Sequence, residues 1–129
     1  MYYYVFISHS WTYDNEYSRV VELLDQSNLK WRDYSIPKND PIHTTGSDKE
    51  LEQAIEKKIK CCSCVIVLAG VYSTYSKWIN KEVQIAKRLN KKVIAIEKWG
   101  SERTSKFVKE HADKIIKWQS GSLANAIIN

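Results

Sequence analysis

The chain reads as one α/β domain, a three-layer sandwich of a five-stranded parallel sheet with helices on both faces. Three observations predict it. Residues 65–69 and 93–96 are continuous apolar runs, the pattern of strands covered on both faces. Between the extended runs lie segments whose apolar residues recur at helical spacing, so strand and helix alternate along the whole chain. Alternation of this kind closes into a parallel sheet with right-handed crossovers. Finally, no repeat or low-complexity stretch interrupts the pattern, and 129 residues suit a single domain over 1–129.

The elements follow in order. Residues 3–7 are β-rich and end in the polar loop 8–14. Tyr17, Val20, Val21, Leu23 and Leu24 place a helix at 16–26, and residues 29–32 make a short second strand. The segment 33–47 carries both prolines, Pro37 and Pro41, together with Gly46, and is a long loop. Loops of that length in compact domains are usually functional or disordered. Ser47 or Asp48 can cap the next helix, whose apolar face is Leu51, Ala54, Ile55 and Ile59. The buried strand 65–69 opens through Gly70 into a polar loop, and a third helix spans 77–89 on Ile79, Val83, Ala86 and Leu89. A buried strand at 93–96, a loop at 98–105, a weak helix at 107–112, a short strand at 115–118 and a closing helix at 123–128 complete the order.

In such sheets ligands bind in the crevice at the carboxyl ends of the strands, near a topological switch point. The loops to inspect therefore begin at Ser8, Asp33, Gly70 and Glu97.

Composition excludes several classes. A net charge of +5 favours anionic ligands such as phosphates, but it is too small and scattered to indicate a nucleic-acid partner. No apolar run approaches the about 20 residues of a membrane span. The opening segment lacks a charged start and a small-residue cleavage site, so it reads as a strand and not a signal peptide. Cys61, Cys62 and Cys64 are too close and too few for a disulfide framework, which suits a reducing, cytoplasmic setting. They lack a fourth ligand at useful spacing, so no metal site is expected and small buried residues leading into a strand are the reading.

Two constellations could carry chemistry. Trp78 and Glu82 are four residues apart and share a face of the third helix, just after the loop at the sheet's rim. A carboxyl packed beside an indole there would be partly desolvated and its pKa raised. The competing explanation is that a negative charge near a helix N-terminus is simply stabilising, by about 0.3–1 kcal/mol. Ser8, His9, Ser10 and Trp11 follow the first strand without the glycines of a dinucleotide fingerprint or a Walker lysine. Backbone N–H groups and the next helix N-terminus could still hold a phosphate there, or the serines could be only loop and cap residues. One histidine in a loop defines no catalytic triad. The basic clusters at 57–60 and 87–92 read as solvated helix ends, and Trp31, Trp99 and Trp118 as packing residues. A receiver domain is rejected, because Ser8-His9-Ser10 and Ala69-Gly70 stand where its acidic residues belong.

The stretch Tyr4-Val5-Phe6-Ile7-Ser8-His9-Ser10 resembles the opening motif of TIR and TIR-like domains. Ser76-Lys77-Trp78-Ile79-Asn80-Lys81-Glu82 resembles their S-x-W-x-x-x-E helix. Arg32-Asp33-Tyr34-Ser35-Ile36-Pro37 and Trp99-Gly100-Ser101-Glu102-Arg103-Thr104 are similar to one bacterial and archaeal branch, which includes the TIR-like subunit of the Thoeris anti-phage system. The resemblance implies a flavodoxin-like fold. It implies that Glu82 is catalytic, with Trp78 as its helix neighbour, and that Phe6, Ser8 and His9 line the nucleotide crevice. It also implies that Asp33 and Tyr34 open a loop that covers the site or mediates self-association through 33–47. The segment 35–47 lacks the R-D-x-x-P-G pattern of animal TIR domains, which argues against animal-type adaptor partners.

The implied reaction is cleavage of the nicotinamide–ribose bond of NAD+, with NAD+ as substrate and no cofactor. The implied product is a cyclic ADP-ribose-type signal read by a separate effector protein. The other reading is a non-catalytic nucleotide-binding or protein-interaction module of the same family.

Overall fold

The computed structural model describes residues 2–8, 14–34, 48–69, 77–97, 106–117 and 120–128. Among the described residues ten elements alternate strand and helix. They are β1 (Tyr3–Ser8), α1 (Asp14–Gln26), β2 (Trp31–Asp33), α2 (Asp48–Lys60), β3 (Cys64–Ala69), α3 (Lys77–Arg88), β4 (Lys92–Glu97), α4 (Lys106–His111), β5 (Lys114–Lys117) and α5 (Ser120–Ile128).

The five strands are all parallel, in the order β2-β1-β3-β4-β5. The sheet divides the core into two layers. On one side Phe6, Val65, Val67, Val93 and Ala95 pack against Ile55 and Ile59 of α2, Val83, Ile85 and Ala86 of α3, and Val108 of α4. On the other, Val5, Ile7, Cys64, Ile66, Ile94 and Ile96 pack against Val20 and Leu24 of α1 and Leu123, Ala126 and Ile127 of α5. Odd and even residues of a strand thus serve different layers, as the alternation of side chains requires. The continuous apolar runs of β3 and β4 exist because both of their faces are covered. Each fully buried Ile or Val contributes about 1.5–3 kcal/mol.

The sequence expectations are met in element type and order, with small shifts. β2 begins at Trp31, two residues later than expected, after Asn28 takes a left-handed conformation (φ 63°) beyond the end of α1. The ladder is joined by Tyr3 N–H donating to Lys30 O at 2.8 Å. The last strand starts one residue early, at Lys114, and the closing helix three residues early, at Ser120. The cysteines need a correction. Cys62 and Cys64 are buried, with thiols pushed up to about 12 chiefly by burial, but Cys61 is exposed at the end of α2. The helix surface turns to solvent there before the chain re-enters the sheet.

Candidate functional site

The strand order fixes where the site can form. From β1 the chain steps to β2 on one side, then crosses to β3 on the other and continues outward through β4 and β5. The direction of progression therefore reverses between β1 and β3, the switch point where sheets of this kind open a crevice. Ser8 ends β1 there, in register with Val67 of β3. It is fully buried, and alternation from Phe6 turns its side chain toward the layer of α2 and α3.

Glu82 reaches the same layer from the helix that follows β3. Val83, Ile85 and Ala86 pin α3 to the sheet, and Glu82 lies among them on the buried face, 6% exposed. Burial pushes its carboxyl from an ordinary 4.5 up to about 8, while the Ser8 hydroxyl pulls weakly the other way. That pull involves no closed hydrogen bond. Ser8 Oγ and Glu82 Oε2 are both buried without a hydrogen-bond partner among the described residues. The stabilising role of a charge at a helix N-terminus does not account for Glu82. It is the sixth residue of α3, beyond the first turn, and is mostly protonated at neutral pH.

A third buried polar atom without a partner, Asn80 Oδ1, lies half a turn earlier on α3. Sequence reasoning did not single it out. No signal in the sequence could have found it, because neither spacing nor composition marks a buried amide oxygen. Buried polar groups are almost always hydrogen-bonded, so three orphans around one helix call for an explanation.

The other expected site residues are distributed differently. Phe6 is a core side chain, 1% exposed among Ile55, Ile59 and Val65, and supports the crevice from beneath. Asp33 ends β2 exposed, opposite Val5 and on the alternate face from Arg32. Tyr34 continues the ladder, its N–H donating to Val5 O at 2.8 Å, and its ring lies 4.9 Å from that of Tyr4. Tyr34 also packs against the layer of Phe6, Ile55 and Ile59, on the side of the sheet that carries Ser8 and Glu82. Trp78 lies in the first turn of α3; its side chain, His9 and the loop 35–47 fall outside the described residues. Among the described residues no group of three or more His, Cys, Asp or Glu could hold a metal ion. No helix among them is long and apolar enough to cross a membrane.

A buried carboxyl and a hydroxyl at the switch point make a site suited to a ligand that carries or develops positive charge. The family model of the Thoeris protein ThsB, TIR-like domain, matches residues 6–103 of the chain. The chain belongs to the Thoeris ThsB TIR-like family. The match runs from the middle of β1 past β4 and includes both Ser8 and Glu82. Solved structures agree on the flavodoxin-like architecture of this ThsB-family domain. The CMP N-glycosidase BcmB of Clostridium botulinum is similar at TM-score 0.59 and 17% identity, over 98% of this chain and 99% of that one. A 3-dehydroquinate dehydratase-like protein from Bifidobacterium longum matches at TM-score 0.50 and 11% identity, over 99% and 93%. A β-glucosidase from Erythrobacter marinus matches at 0.53 and 11%, over 98% of this chain but 24% of its own. At these identities the likeness shows the fold alone. Curated protein sequences give no significant match.

Proposed function

We propose that this ThsB-family domain cleaves the nicotinamide–ribose bond of NAD+ in anti-phage defence, with Glu82 as the essential carboxylate. The observation that carries the reading is Glu82 itself, a buried carboxyl beside Ser8 at the switch point, on the family's helix motif, whose Oε2 has no hydrogen-bond partner among the described residues. The name of the structurally similar CMP N-glycosidase adds support, because that protein too acts on an N-glycosidic bond.

In the reaction the bond between ribose C1′ and the nicotinamide nitrogen breaks. Its electron pair leaves with nicotinamide, which becomes neutral, and the ribose takes on oxocarbenium character. A carboxylate beside the ribose stabilises that charge, and more strongly in a dry site. Glu82 is mostly neutral in the empty domain. The positive nicotinamide ring lowers its pKa on binding, so substrate entry releases the proton and charges the catalyst. Ser8 is placed to orient the carboxylate or a ribose hydroxyl. With water expelled, a nucleophile within the same molecule competes with hydrolysis, and a cyclic ADP-ribose-type product follows. That product would act on a separate effector in the cytoplasm. The 33–47 loop would cover the site or join copies of the domain. NAD+ is the substrate, and the chemistry requires no cofactor or metal.

The test is nicotinamide release from NAD+ by the purified protein, with and without phage lysate, beside Glu82→Gln. Wild-type turnover in the variant would remove Glu82 from the mechanism. The near-complete burial of Glu82 also favours a second reading, a nucleotide-binding signalling module without turnover. NAD+ binding by calorimetry, with light scattering for assembly and no nicotinamide release under any trigger, would select that reading.

A further inference from the structure

The β1–β2 edge of the sheet carries a row of rings and cations, of which Tyr2, Tyr4, Arg32 and Lys58 have no part in the proposed reaction. Tyr2, just before β1, and Tyr4 on it are two residues apart, so in extended chain both side chains point to the same face, at a spacing of about 6.7 Å. On the neighbouring strand Arg32 is in register with Tyr4 and shares that face. Its guanidinium carbon sits 4.7 Å from the centre of the Tyr2 ring. The Tyr4 ring packs on Tyr34 at 4.9 Å, tilted by 31°, and Lys58 of α2 places its ammonium 5.7 Å from the Tyr34 ring. Lys30, two residues before Arg32, continues the cationic row.

Among the described residues the row is open at Tyr2, Arg32 and Lys30, and no ion pair between its cations and a carboxylate is seen. Tyr2 is 47% exposed, Arg32 and Lys30 are exposed, and Tyr4, Tyr34 and Lys58 are half-buried. The carboxylates nearest in sequence turn elsewhere. Asp33 alternates to the other face, and Glu56 pairs with Arg88 at 3.2 Å on the side of α2 that faces α3. An isolated cation–π pair would need no explanation. Here Lys30, Arg32 and the three tyrosines share one face with Lys58 of α2 beside them, and the outermost residue, Tyr2, is 47% exposed with Arg32 over one face of its ring.

We infer that this row of Tyr2, Arg32, Tyr4, Tyr34 and Lys58 on the β1–β2 edge is a binding surface for single-stranded nucleic acid. Rings on a sheet offer faces on which unpaired bases stack, and flanking cations track the phosphates. The chain's net charge of +5 gives little reason to expect such a partner. The fold changes the argument by gathering cations with rings in one place. An acidic protein segment would use the cations but would gain little from the open Tyr2 ring.

The experiment is fluorescence anisotropy of a labelled oligouridylate at low salt, titrated with the full chain. Tyr2→Ala and Arg32→Ala alter exposed side chains outside the Glu82 site, and their unfolding curves should match wild type. Saturable binding is expected, weakened about tenfold by Tyr2→Ala and falling with added salt. Arg32→Lys should recover the salt dependence of Arg32→Ala but not the full affinity, because an ammonium cannot stack as a guanidinium does. Absence of binding, an unchanged affinity in Tyr2→Ala, or equal competition by base-free polyphosphate would overturn the inference. The outcome is independent of NAD+ turnover, which is measured on Glu82 variants.

Discussion

The two ends of the sheet differ in how their buried polar atoms are satisfied, although an ion pair between Lys117 and Glu97 closes the carboxyl ends of β5 and β4 at 2.9 Å. At the amino ends of the strands polar groups have been matched with care. Asp113 accepts from Lys87 Nζ and from the Val93 N–H, both at 2.8 Å. Lys92 Nζ donates to the carbonyls of Ala126 and Ile127 at 3.1 and 3.2 Å, satisfying the last turn of α5. Asn90, at φ 58°, closes α3, with Lys91 N–H donating to Ala86 O at 2.9 Å. At the carboxyl ends, by contrast, Ser8 Oγ, Glu82 Oε2 and Asn80 Oδ1 are buried with no partner among the described residues. Each such atom costs about 1–3 kcal/mol. The contrast teaches where stability is held and where it is given up: the matched groups anchor the fold, and the unmatched atoms lie where the proposed function needs polar groups for a ligand.

The largest expected effect breaks the unmatched end. Glu82→Gln is nearly the same size but cannot become negative, so nicotinamide release should fall by about a hundredfold or more. In the wild type, kcat/KM should rise with pH and level off above about 8, as Glu82 of the free protein ionises. A pH–rate profile checks the sign. A profile flat from pH 6 to 9 would mean that Glu82 is not the group that limits activity.

The next effect is on stability and has the opposite sign. Because the folded state raises the Glu82 pKa above its ordinary 4.5, the fold prefers the neutral acid. That contribution is fully present below about 4.5 and is lost as pH rises through about 8. The loss runs at about 1.4 kcal/mol per pH unit and sums to a few kcal/mol. Glu82→Gln escapes it. Urea unfolding at pH 5 and pH 8 should therefore show the variant gaining on wild type as pH rises. A constant difference between them would mean that the carboxyl is solvated in the fold.

This asymmetry also explains what the sequence revealed. The matched framework is repetitive and local: apolar runs at 65–69 and 93–96 announce buried strands, and helical spacing marks α1, α2 and α3. Strand edges were less legible, because β2 begins where a ladder bond forms and not where β-rich residues start. Glu82 was visible through its motif. Its closeness to Ser8, 74 positions earlier (82 − 8), was not, since only the order β2-β1-β3 brings the two elements together. Asn80 escaped notice because nothing in composition marks a buried amide oxygen. The packing of Tyr34 against the Tyr4 ring and the layer of Phe6 and Ile55 was not legible either, because it depends on the pairing of β1 with β2.

Asp113 offers a smaller test at the matched end. Partial burial pushes its carboxyl up, but hydrogen bonds from Lys87 and the Val93 amide, with the charges of Lys87 and Lys92, outweigh burial and hold it below the ordinary aspartate value. Its contribution is present above the unfolded pKa and is lost as pH falls through the folded one. The side chain is 41% exposed, so solvent screens the ion pair. The main cost of Asp113→Ala is the orphaned Val93 N–H, and the loss in chemical denaturation should be about 1–2 kcal/mol at neutral pH. It should shrink in acid, the reverse of the trend at Glu82.

Asn90 is the finest probe of the comparison. Its left-handed backbone lets Asn90 N–H donate to Lys87 O at 3.1 Å while Lys91 reaches Ala86, and together they absorb the carbonyls at the end of α3. Asparagine tolerates this conformation better than most residues, and glycine tolerates it without a steric penalty. Asn90→Ala should destabilise by about 1 kcal/mol, whereas Asn90→Gly should be near neutral. Neither should alter nicotinamide release, because α3 is anchored at this end independently of the carboxyl at its other end. A loss of turnover in Asn90→Ala that exceeds its loss of folded protein would show that the anchored end sets the position of Glu82, and that the two ends act as one unit.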